Sequence, residues 1–537
     1  MKLVTSAQMK EIELRATQLA VPESELMLNA GSSVAEAIYL AELIDRDGDA
    51  YYQENTMALI LAGAGNNGGD AMVVASLLKQ ELPDLQVRIY FYNRPRPKNG
   101  FNNKLTYTEA ENQTGQSIND ENDWADFCAD LEQAHLVVDG LLGAGLTRDV
   151  TGKLANIIRQ VNEVKEARSF DPYPLSVVAI DVPSGINSDT GQAMGIALKA
   201  DLTVTLGMPK QGLISYEALE YTGVLTLGDI GLPPKVVEEF ENSDAPLFVL
   251  SDNIKRWLPS RPSSGHKGTF GRLMVVSGSD EFLGAPYLSV VAAMRAGAGL
   301  VTLAASRNVI AVMAARSSEN TYFELTEATL SSFAAKLVDY RAALIGPGLG
   351  ENSNLLAQLL AIDSIKKLPL VIDADGLNYL AHTPEWWASM SKGNILTPHP
   401  AELSRLTGST IGEIEANRLE SAQKAAQKFG QVVVLKGAYT VIAAPDGRIA
   451  VNPAANSALA TAGSGDVLAG ICGGLLAQAV RFADFDTFKI ACCGVYLHAM
   501  AGELAKRDKG AMGVLAGDLL PLLPLSIEAI KQGESLE

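Results

Sequence analysis

Two consecutive α/β halves, each built on a mostly parallel sheet with helices on its faces, are the fold class this sequence predicts. Three observations predict it. Short apolar, β-branched runs recur along the chain with helical patterns between them, the alternation that produces parallel sheets. Glycine-rich segments stand where those runs end, as tight strand-to-helix turns require. The alternation stops once, near residues 232–250, and then restarts.

In the first half, strands are expected at 57–62, 87–92, 136–139, 177–181, 202–206 and 224–227, with helices at 6–19 and 71–82 among those between them. This reads as a Rossmann-like three-layer α/β/α domain. The pattern breaks at Gly231-Leu232-Pro233-Pro234, continues through an acidic stretch with Glu238, Glu239, Glu241 and Asp244, and passes into a Pro- and Ser-rich loop at 259–265. Loop chemistry of that kind separates domains. The expected division is a first domain over 1–235 and a second over 245–537. Strands resume at 272–277, 300–304, 342–345, 370–373, 394–396, 432–436, 440–443 and 448–451. Long helices are expected after Gly465 and over 488–504, with a frayed tail after Ile530. The longest apolar stretch, 287–305, carries Arg295 and many Ala and Gly residues, so it reads as a buried helix followed by a strand and not as a membrane span.

Composition narrows the function. Hydrophobic residues are 47% of the 537-residue chain, enough for large cores, and the formal net charge is −19. So acidic a surface argues against nucleic acid and against anionic membranes as partners. A phosphorylated ligand would have to be held locally, by helix N-termini and a few lysines. The four cysteines, Cys128, Cys472, Cys492 and Cys493, form no C-x-x-C pair, and the five histidines are scattered. That fits a reducing compartment without a zinc site. The N-terminus lacks an apolar run, so no signal peptide is read and a cytoplasmic location is expected.

The strongest local signal is Thr461-Ala462-Gly463-Ser464-Gly465-Asp466-Val467-Leu468-Ala469-Gly470. Small residues let backbone approach an anion, and the following helix aims free N–H groups and its positive dipole end at it. Asp466 falls in the first turn, placed to take a proton from a hydroxyl beside the phosphate. Plain capping by Ser464 and Asp466 would use the same residues. Four further strand ends share that side of the sheet: Lys436-Gly437-Ala438-Tyr439-Thr440, Thr397-Pro398-His399-Pro400-Ala401-Glu402, Gly346-Pro347-Gly348-Leu349-Gly350, and Asp373-Ala374-Asp375-Gly376. The two prolines hold His399 rigidly. Ligands of open α/β sheets bind beyond the carboxyl ends of the strands.

Together with Lys267-Gly268-Thr269-Phe270-Gly271, these segments resemble the ribokinase-like superfamily and, within it, the ADP-dependent NAD(P)H-hydrate dehydratases, over roughly residues 250–530. The resemblance implies a ribokinase-like α/β domain. It implies adenine-nucleotide contacts at Lys436, Gly437, Ala438, Tyr439, Thr440 and Gly465. It implies contacts to the hydrated nicotinamide nucleotide at Ala285, Gly348, His399 and Asp466. Asp466 is the expected acid–base residue, ADP the co-substrate, and Mg²⁺ the ion that in-line phosphoryl transfer needs.

In the first half, Gly63-Ala64-Gly65-Asn66-Asn67-Gly68-Gly69-Asp70 follows a strand and opens a helix. A Gly-x-Gly-x-x-Gly spacing is weak alone; the two asparagines and Asp70 distinguish it, and a tight turn with Asx capping is the plainer reading. Asp139 leads a second Gly-rich strand end, and Asp181-Val182-Pro183-Ser184 is a third. Oxygens of Asn67, Asp139 and Ser184 could gather round one cation, leaving Asp181 for acid–base work. These segments resemble the NAD(P)H-hydrate epimerases over about residues 1–230. That resemblance implies nucleotide contacts at Asn66, Asn67, Gly68, Gly69 and Asp70, at Gly143, Ala144, Gly145, Leu146, Thr147, Arg148 and Asp149, and at Asp181. It implies K⁺ at Asn67, Asp139 and Ser184. Ala71 departs from it, since relatives often carry another Gly there. Epimerase followed by dehydratase matches the bifunctional repair enzymes found in bacteria, acting on hydrates of NADH or NADPH. A small-molecule kinase with an accessory domain and a non-enzymatic nucleotide sensor are the competing readings. The Ala-rich helix at 289–298 offers a face for packing between subunits, and a homo-oligomer is expected.

Overall fold

The computed structural model describes residues 1–41, 43, 56–93, 116–118, 121–350, 353–482 and 485–536. The chain forms two compact units, Met1–Ala245 and Pro246–Glu537.

In the first unit the strands are β1 (Met57–Ala62), β2 (Gln86–Phe91), β3 (Gln116–Ser117), β4 (Leu136–Gly140), β5 (Ser176–Ile180), β6 (Leu202–Leu206) and β7 (Val224–Gly228). They lie in the order β3-β2-β1-β4-β5-β6-β7, every neighbouring pair parallel. A strand buried on both faces feeds two cores by its alternation. Ala58, Ile60 and Ala62 of β1 pack with the helices Ser6–Gln18, Glu23–Leu40 and Asn66–Glu81. Met57, Leu59 and Leu61 pack on the other side with Phe127, Leu131, Ile157 and Ile158, carried by helices Glu121–Gln133 and Gly152–Ala167. The strand order reverses between β1 and β4, which opens a crevice at their carboxyl ends.

Most boundaries fall within a residue or two of the sequence reading, and two of the differences bear on the cleft. The helix expected from residue 71 begins a turn earlier, at Asn66, with Gly65 in the N-cap position. The Asn-Asn-Gly-Gly-Asp segment is therefore the helix's first turn and not the loop before it. Strand β5 ends at Ile180, and Asp181 leaves it with φ +64, a left-handed conformation that non-glycine residues seldom adopt.

The second unit holds β8 (Leu247–Phe248), β9 (Arg272–Val276), β10 (Leu300–Ala305), β11 (Thr321–Glu324), β12 (Ala342–Ile345), β13 (Leu370–Ile372), β14 (Ile395–Leu396), β15 (Val432–Leu435), β16 (Val441–Ala443) and β17 (Ile449–Val451). Their order is β11-β10-β9-β12-β13-β14-β15-β16-β17-β8. Only β16 runs antiparallel to its neighbours among the described strands. The short strands β8 and β11 carry too weak an alternation to be read from sequence. Here the order reverses between β9 and β12. The apolar 287–305 stretch is the helix Ala285–Arg295 and strand β10, as its composition indicated.

One face of this sheet, with Leu273, Val275, Leu344 and Val371, is covered by helices Ala285–Arg295, Ser464–Ala479, Thr487–Lys509 and Ala516–Gln532. Glycines bring two of these helices unusually close. A Cβ at Gly470 would lie 2.3 Å from the Ser289 carbonyl oxygen, and one at Gly474 would lie 2.5 Å from that of Ala293. The Ala-rich face expected to serve subunit packing is thus occupied inside the unit. The C-terminal tail is also tied down, because the Leu536 N–H donates to the Tyr496 hydroxyl at 3.0 Å. Among the described residues no helix is long and apolar enough to cross a membrane.

Candidate active sites

At the β1/β4 switch point of the first unit lies an open cleft of about 1270 Å³. Asn66, Asn67, Asp70, Asp181 and the loop from Gly143 to Asp149 all line it. Gly68 and Gly69 are buried behind them in the same helical turn. Among the described residues no side chain caps that turn, and uncapped leading N–H groups suit an anionic ligand. Asn67 ties two strand ends together, its Nδ2 donating to the carbonyl of Leu142 at 2.8 Å and to that of Ile180 at 2.7 Å. Gly143 lies directly on Asn67, where a Cβ would come within 3.1 Å of Oδ1. Ala71 fits because residue 140 is glycine: a Cβ at Gly140 would lie 2.6 Å from that of Ala71.

Beneath the cleft, the Asp139 carboxylate accepts from the Ser184 N–H at 2.8 Å, the Ser184 hydroxyl at 2.6 Å and the Leu141 N–H at 3.1 Å. Burial pushes its carboxyl up to about 6, against the pull of those hydrogen bonds. No cationic side chain of the described residues pairs with it. Asn67 and Ser184 meet at Leu142: the serine hydroxyl accepts from the Leu142 N–H at 2.9 Å while Asn67 holds its carbonyl. The three residues expected around a cation are therefore neighbours.

Asp181 stands above them, and it has a partner that sequence reasoning missed. Lys210 is 1% exposed and forms an ion pair with Asp181, while also donating to the Leu206 carbonyl at 2.6 Å. Asp181 accepts the Leu206 N–H at 3.0 Å as well. The available signal was a single lysine inside the apolar run Leu206-Gly207-Met208-Pro209-Lys210-Gln211-Gly212-Leu213-Ile214; a buried lysine needs an anion. Glu13, on the first helix, faces the same cluster. Burial raises its carboxyl above the ordinary range, with Lys210 opposing and Asp181 adding to the shift.

In the second unit, Gly348 (φ +63) and Ala285 meet at the β9/β12 switch point, where a Cβ on Gly348 would lie 2.8 Å from that of Ala285. Lys436, at the end of β15, donates to Asp373 at 2.8 Å and lies 3.6 Å from Glu402. Burial opposes its charge, but Asp373 and Glu402 hold its ammonium above the ordinary range. A Cβ on Gly465 would come 3.5 Å from the Lys436 Nζ, so lysine and glycine-rich turn share a corner. Asp466 is in the first turn of helix Ser464–Ala479. Burial, helped by Asp373 and opposed by Lys436, pushes its carboxyl up to about 7.

Capping does not explain this turn. Gly463 is its N-cap, with φ +87 and no side-chain cap bond. The Ser464 hydroxyl instead pairs with Nε2 of the buried His498, 3.0 Å away. His498, hidden in an apolar helix, is another partner the sequence did not announce. His399 does act as a cap: its Nδ1 accepts the N–H groups of Ala401 at 3.1 Å and Glu402 at 3.3 Å. That fixes the half-exposed ring, whose Nε2 lies 3.5 Å from Oε1 of Glu402. Burial, Lys436 and Arg405 lower its pKa, which keeps the imidazole neutral near pH 7. In the Lys436–Thr440 segment Tyr439 is 1% exposed and its N–H donates to the Ala454 carbonyl at 2.9 Å, so this residue, expected to touch the nucleotide, is packed inside the turn; Thr440 is folded back onto the Gly437 carbonyl at 2.8 Å. Two buried hydroxyls near these strand ends, Ser279 and Thr397, have no partner among the described residues, as expected where a polar ligand would complete them.

Comparison with known proteins agrees with this division. Residues 273–525 match a family model described as NAD(P)H-hydrate dehydratase, and residues 23–212 match one described as YjeF-related protein N-terminus. A bifunctional NAD(P)H-hydrate repair enzyme of Moorella thermoacetica is 35% identical, covering 99% of this chain and 98% of its own. That of Escherichia coli K12 is 33% identical over 90% of this chain and 89% of its own. An ADP/ATP-dependent NAD(P)H-hydrate dehydratase from Bacillus subtilis, crystallised with ATP and Mg²⁺, is 33% identical, with a TM-score of 0.46 over 53% of this chain and 98% of that one.

Proposed function

The chain belongs to the family of bifunctional NAD(P)H-hydrate repair enzymes, and from that premise we propose how its two units divide the work. The first unit interconverts the R and S hydrates at nicotinamide C6. The second dehydrates the S hydrate back to NADH or NADPH and consumes ADP. The observation that carries the assignment is Asp466, a half-buried carboxyl in the first turn of a helix whose leading amides no side chain caps among the described residues, its carboxyl pushed up to about 7. A general base works best with a pKa near the operating pH, and bare helix amides in front of it suit a diphosphate.

In this reading Asp466 takes the proton of the C6 hydroxyl. The oxygen attacks the terminal phosphorus of ADP and AMP departs. The C6–O bond then breaks as the N1 lone pair moves in, phosphate leaves, and loss of a proton from C5 restores the ring double bond. Lys436, Gly437, Ala438, Thr440 and Gly465 cradle the nucleotide, with Tyr439 packed beneath them to hold the turn. Ala285, Gly348 and His399 face the hydrate. Mg²⁺, when bound, neutralises charge on the diphosphate. Among the described residues no group of three His, Cys, Asp or Glu side chains stands ready for a metal. Asp373 and Glu402 suit an ion that arrives with the diphosphate and keeps most of its water.

In the first unit, Asn66 to Asp70 and Gly143 to Asp149 hold the substrate's phosphates and ribose, and Asp181 is an acid–base group. A K⁺ ion fits the Asn67, Asp139 and Ser184 oxygens, because Asp139 is a buried carboxylate without a cationic partner among the described residues and such a charge is costly alone. The sign of its pH dependence is testable. With its carboxyl raised to about 6, the folded unit keeps a proton that the unfolded chain releases near pH ~4. Stability without K⁺ therefore declines as pH rises from about 4 to about 6. K⁺ favours the ionised form, so it should raise the unfolding temperature of this unit at pH 7.5 and lose that effect near pH 4.5. Equal unfolding temperatures in K⁺ and tetramethylammonium at pH 7.5 would remove the ion from Asp139.

A small-molecule kinase with an accessory domain is not favoured, since full-length relatives match through both halves. The deciding assay supplies S-hydrated NADH, ADP and Mg²⁺ and follows the absorbance of regenerated NADH. Regeneration that requires ADP is expected. Phosphoryl transfer to some other alcohol without regeneration would restore the kinase reading, and binding without turnover would point to a sensor.

A further inference from the structure

We propose that Glu13 is the second acid–base group of the first unit's cleft, acting opposite Asp181 across the C6 carbon whose configuration is inverted. The inference rests on the epimerase reading and extends it to a residue outside the glycine-rich loops. Four observations carry it.

Ser6, Met9, Lys10, Glu13 and Thr17 all line the cleft. Their spacing makes one stripe along the helix Ser6–Gln18, so the helix presents this side chain to the ligand space. Glu13 shares the cleft with Asp181, and the charged groups facing it are Lys210, Asp181, Glu23 on the second helix and Lys10 one turn away. Asp181 is committed to Lys210 and to the Leu206 N–H. Glu13, by contrast, has none of the ion pairs or side-chain hydrogen bonds found among the described residues, so its half-buried carboxyl is free for a ligand. Burial makes it hold its proton more tightly than an exposed glutamate. Two carboxyls in one site with different surroundings are the arrangement that supplies an acid and a base together.

The chemistry asks for such a pair. Inverting C6 through loss and return of water needs a proton given on one face and taken on the other. In one direction Glu13 donates its proton to the C6 hydroxyl. The C6–O bond breaks as the N1 lone pair forms a C6=N1 double bond, and water leaves. A second water adds to the opposite face, N1 recovers its electron pair, and the proton released by that water passes to Asp181. In the other direction the two residues exchange roles. Between turnovers of the same sense, the proton returns from Asp181 to Glu13 through cleft water, so no net charge accumulates.

The test is Glu13→Gln in the full chain, with R-hydrated NADH as substrate and the spontaneous rate subtracted. Glutamine keeps the shape and cannot donate a proton. Epimerisation kcat should fall by ~100-fold or more with KM within about twofold, and the limb at which activity falls with rising pH should vanish. Glu13→Asp should recover part of the rate and shift that limb. Dehydration of the S hydrate by the same sample reports that the protein is intact. If Glu13→Gln keeps kcat within about twofold, or lowers it with the pH profile unmoved, the residue is structural and the inference fails. Should Glu13→Gln not fold, Glu13→Asp decides alone, and an unshifted limb overturns the inference. A wild-type chain inert towards the R hydrate would instead remove the epimerase reading, and this inference with it.

Discussion

Asp466 shows how far one residue's surroundings can set its chemistry. Burial and the nearby Asp373 push its carboxyl up to about 7, and Lys436 limits the rise. As a base it must be ionised, so dehydration should increase with pH through about 7 and level off above. Asp466→Asn removes the base and should cost ~10²–10⁴-fold in dehydration, with epimerisation by the first unit retained. A dehydration rate within tenfold of wild type (about 1.4 kcal/mol in barrier) would take the base assignment away from this residue. Asp466 stood out in sequence through its company, since plain capping uses the same residues but does not account for four further special segments at neighbouring strand ends. Its neighbours were less so. His498 and Lys210 are single polar residues in apolar stretches, and local pattern cannot say what such a residue meets across 34 residues, as with Ser464 and His498, or 29, as with Asp181 and Lys210. Asp373 and Glu402 were visible as strand-end carboxylates, but their convergence on Lys436 is a product of strand order.

Strand ends are the elements that build both sites, and glycine sets how closely they approach. At the β1/β4 switch a Cβ on Gly63 would lie 1.9 Å from the Leu141 carbonyl oxygen. At the β9/β12 switch Gly346 has φ +131, and a Cβ there would lie 1.8 Å from the Asp373 carbonyl oxygen. Backbone atoms cannot yield as a flexible side chain can, so alanine at either position must separate two strand ends. Gly63→Ala should lower the unfolding temperature and strip epimerase activity while dehydration persists; Gly346→Ala should do the opposite. Activity of the affected unit within about twofold of wild type in either variant would mean that the strand ends tolerate more movement than these distances allow. The alternation of strands and helices located most of these elements to within a residue or two, because long apolar runs have one way to pack in a parallel sheet. It misplaced the start of helix Asn66–Glu81 for a physical reason. Asn and Gly are poor helix formers, and the segment is helical because packing buries Asn67, Gly68, Gly69 and Asp70.

For the molecule as a whole, charge opposes function. The formal net charge is −19, and both substrates proposed here, a nicotinamide dinucleotide and an adenine nucleotide, are anions. At low ionic strength the protein's field repels them over tens of ångströms, since the Debye length is ~30 Å at 0.01 M salt. Short-range groups must overcome that repulsion once the ligand arrives: the uncapped amides before Asp466 and before Asp70, and lysines such as Lys436. Those contacts act within a few ångströms and are only weakly screened. At 0.15 M the Debye length shrinks to ~8 Å, so salt should remove the long-range penalty before it weakens the local grip. We therefore expect kcat/KM for the hydrates to rise as KCl is raised from 10 to 150 mM in the presence of saturating Mg²⁺, the reverse of an enzyme that steers its substrate by opposite charge. Potassium held constant against a tetramethylammonium background separates this effect from any specific ion in the first unit. A steady fall in kcat/KM over that range would mean that the basic residues around the clefts, Lys10 and Arg148 in the first unit among them, dominate the approach, and that the acidic surface is turned away from the path the substrate takes.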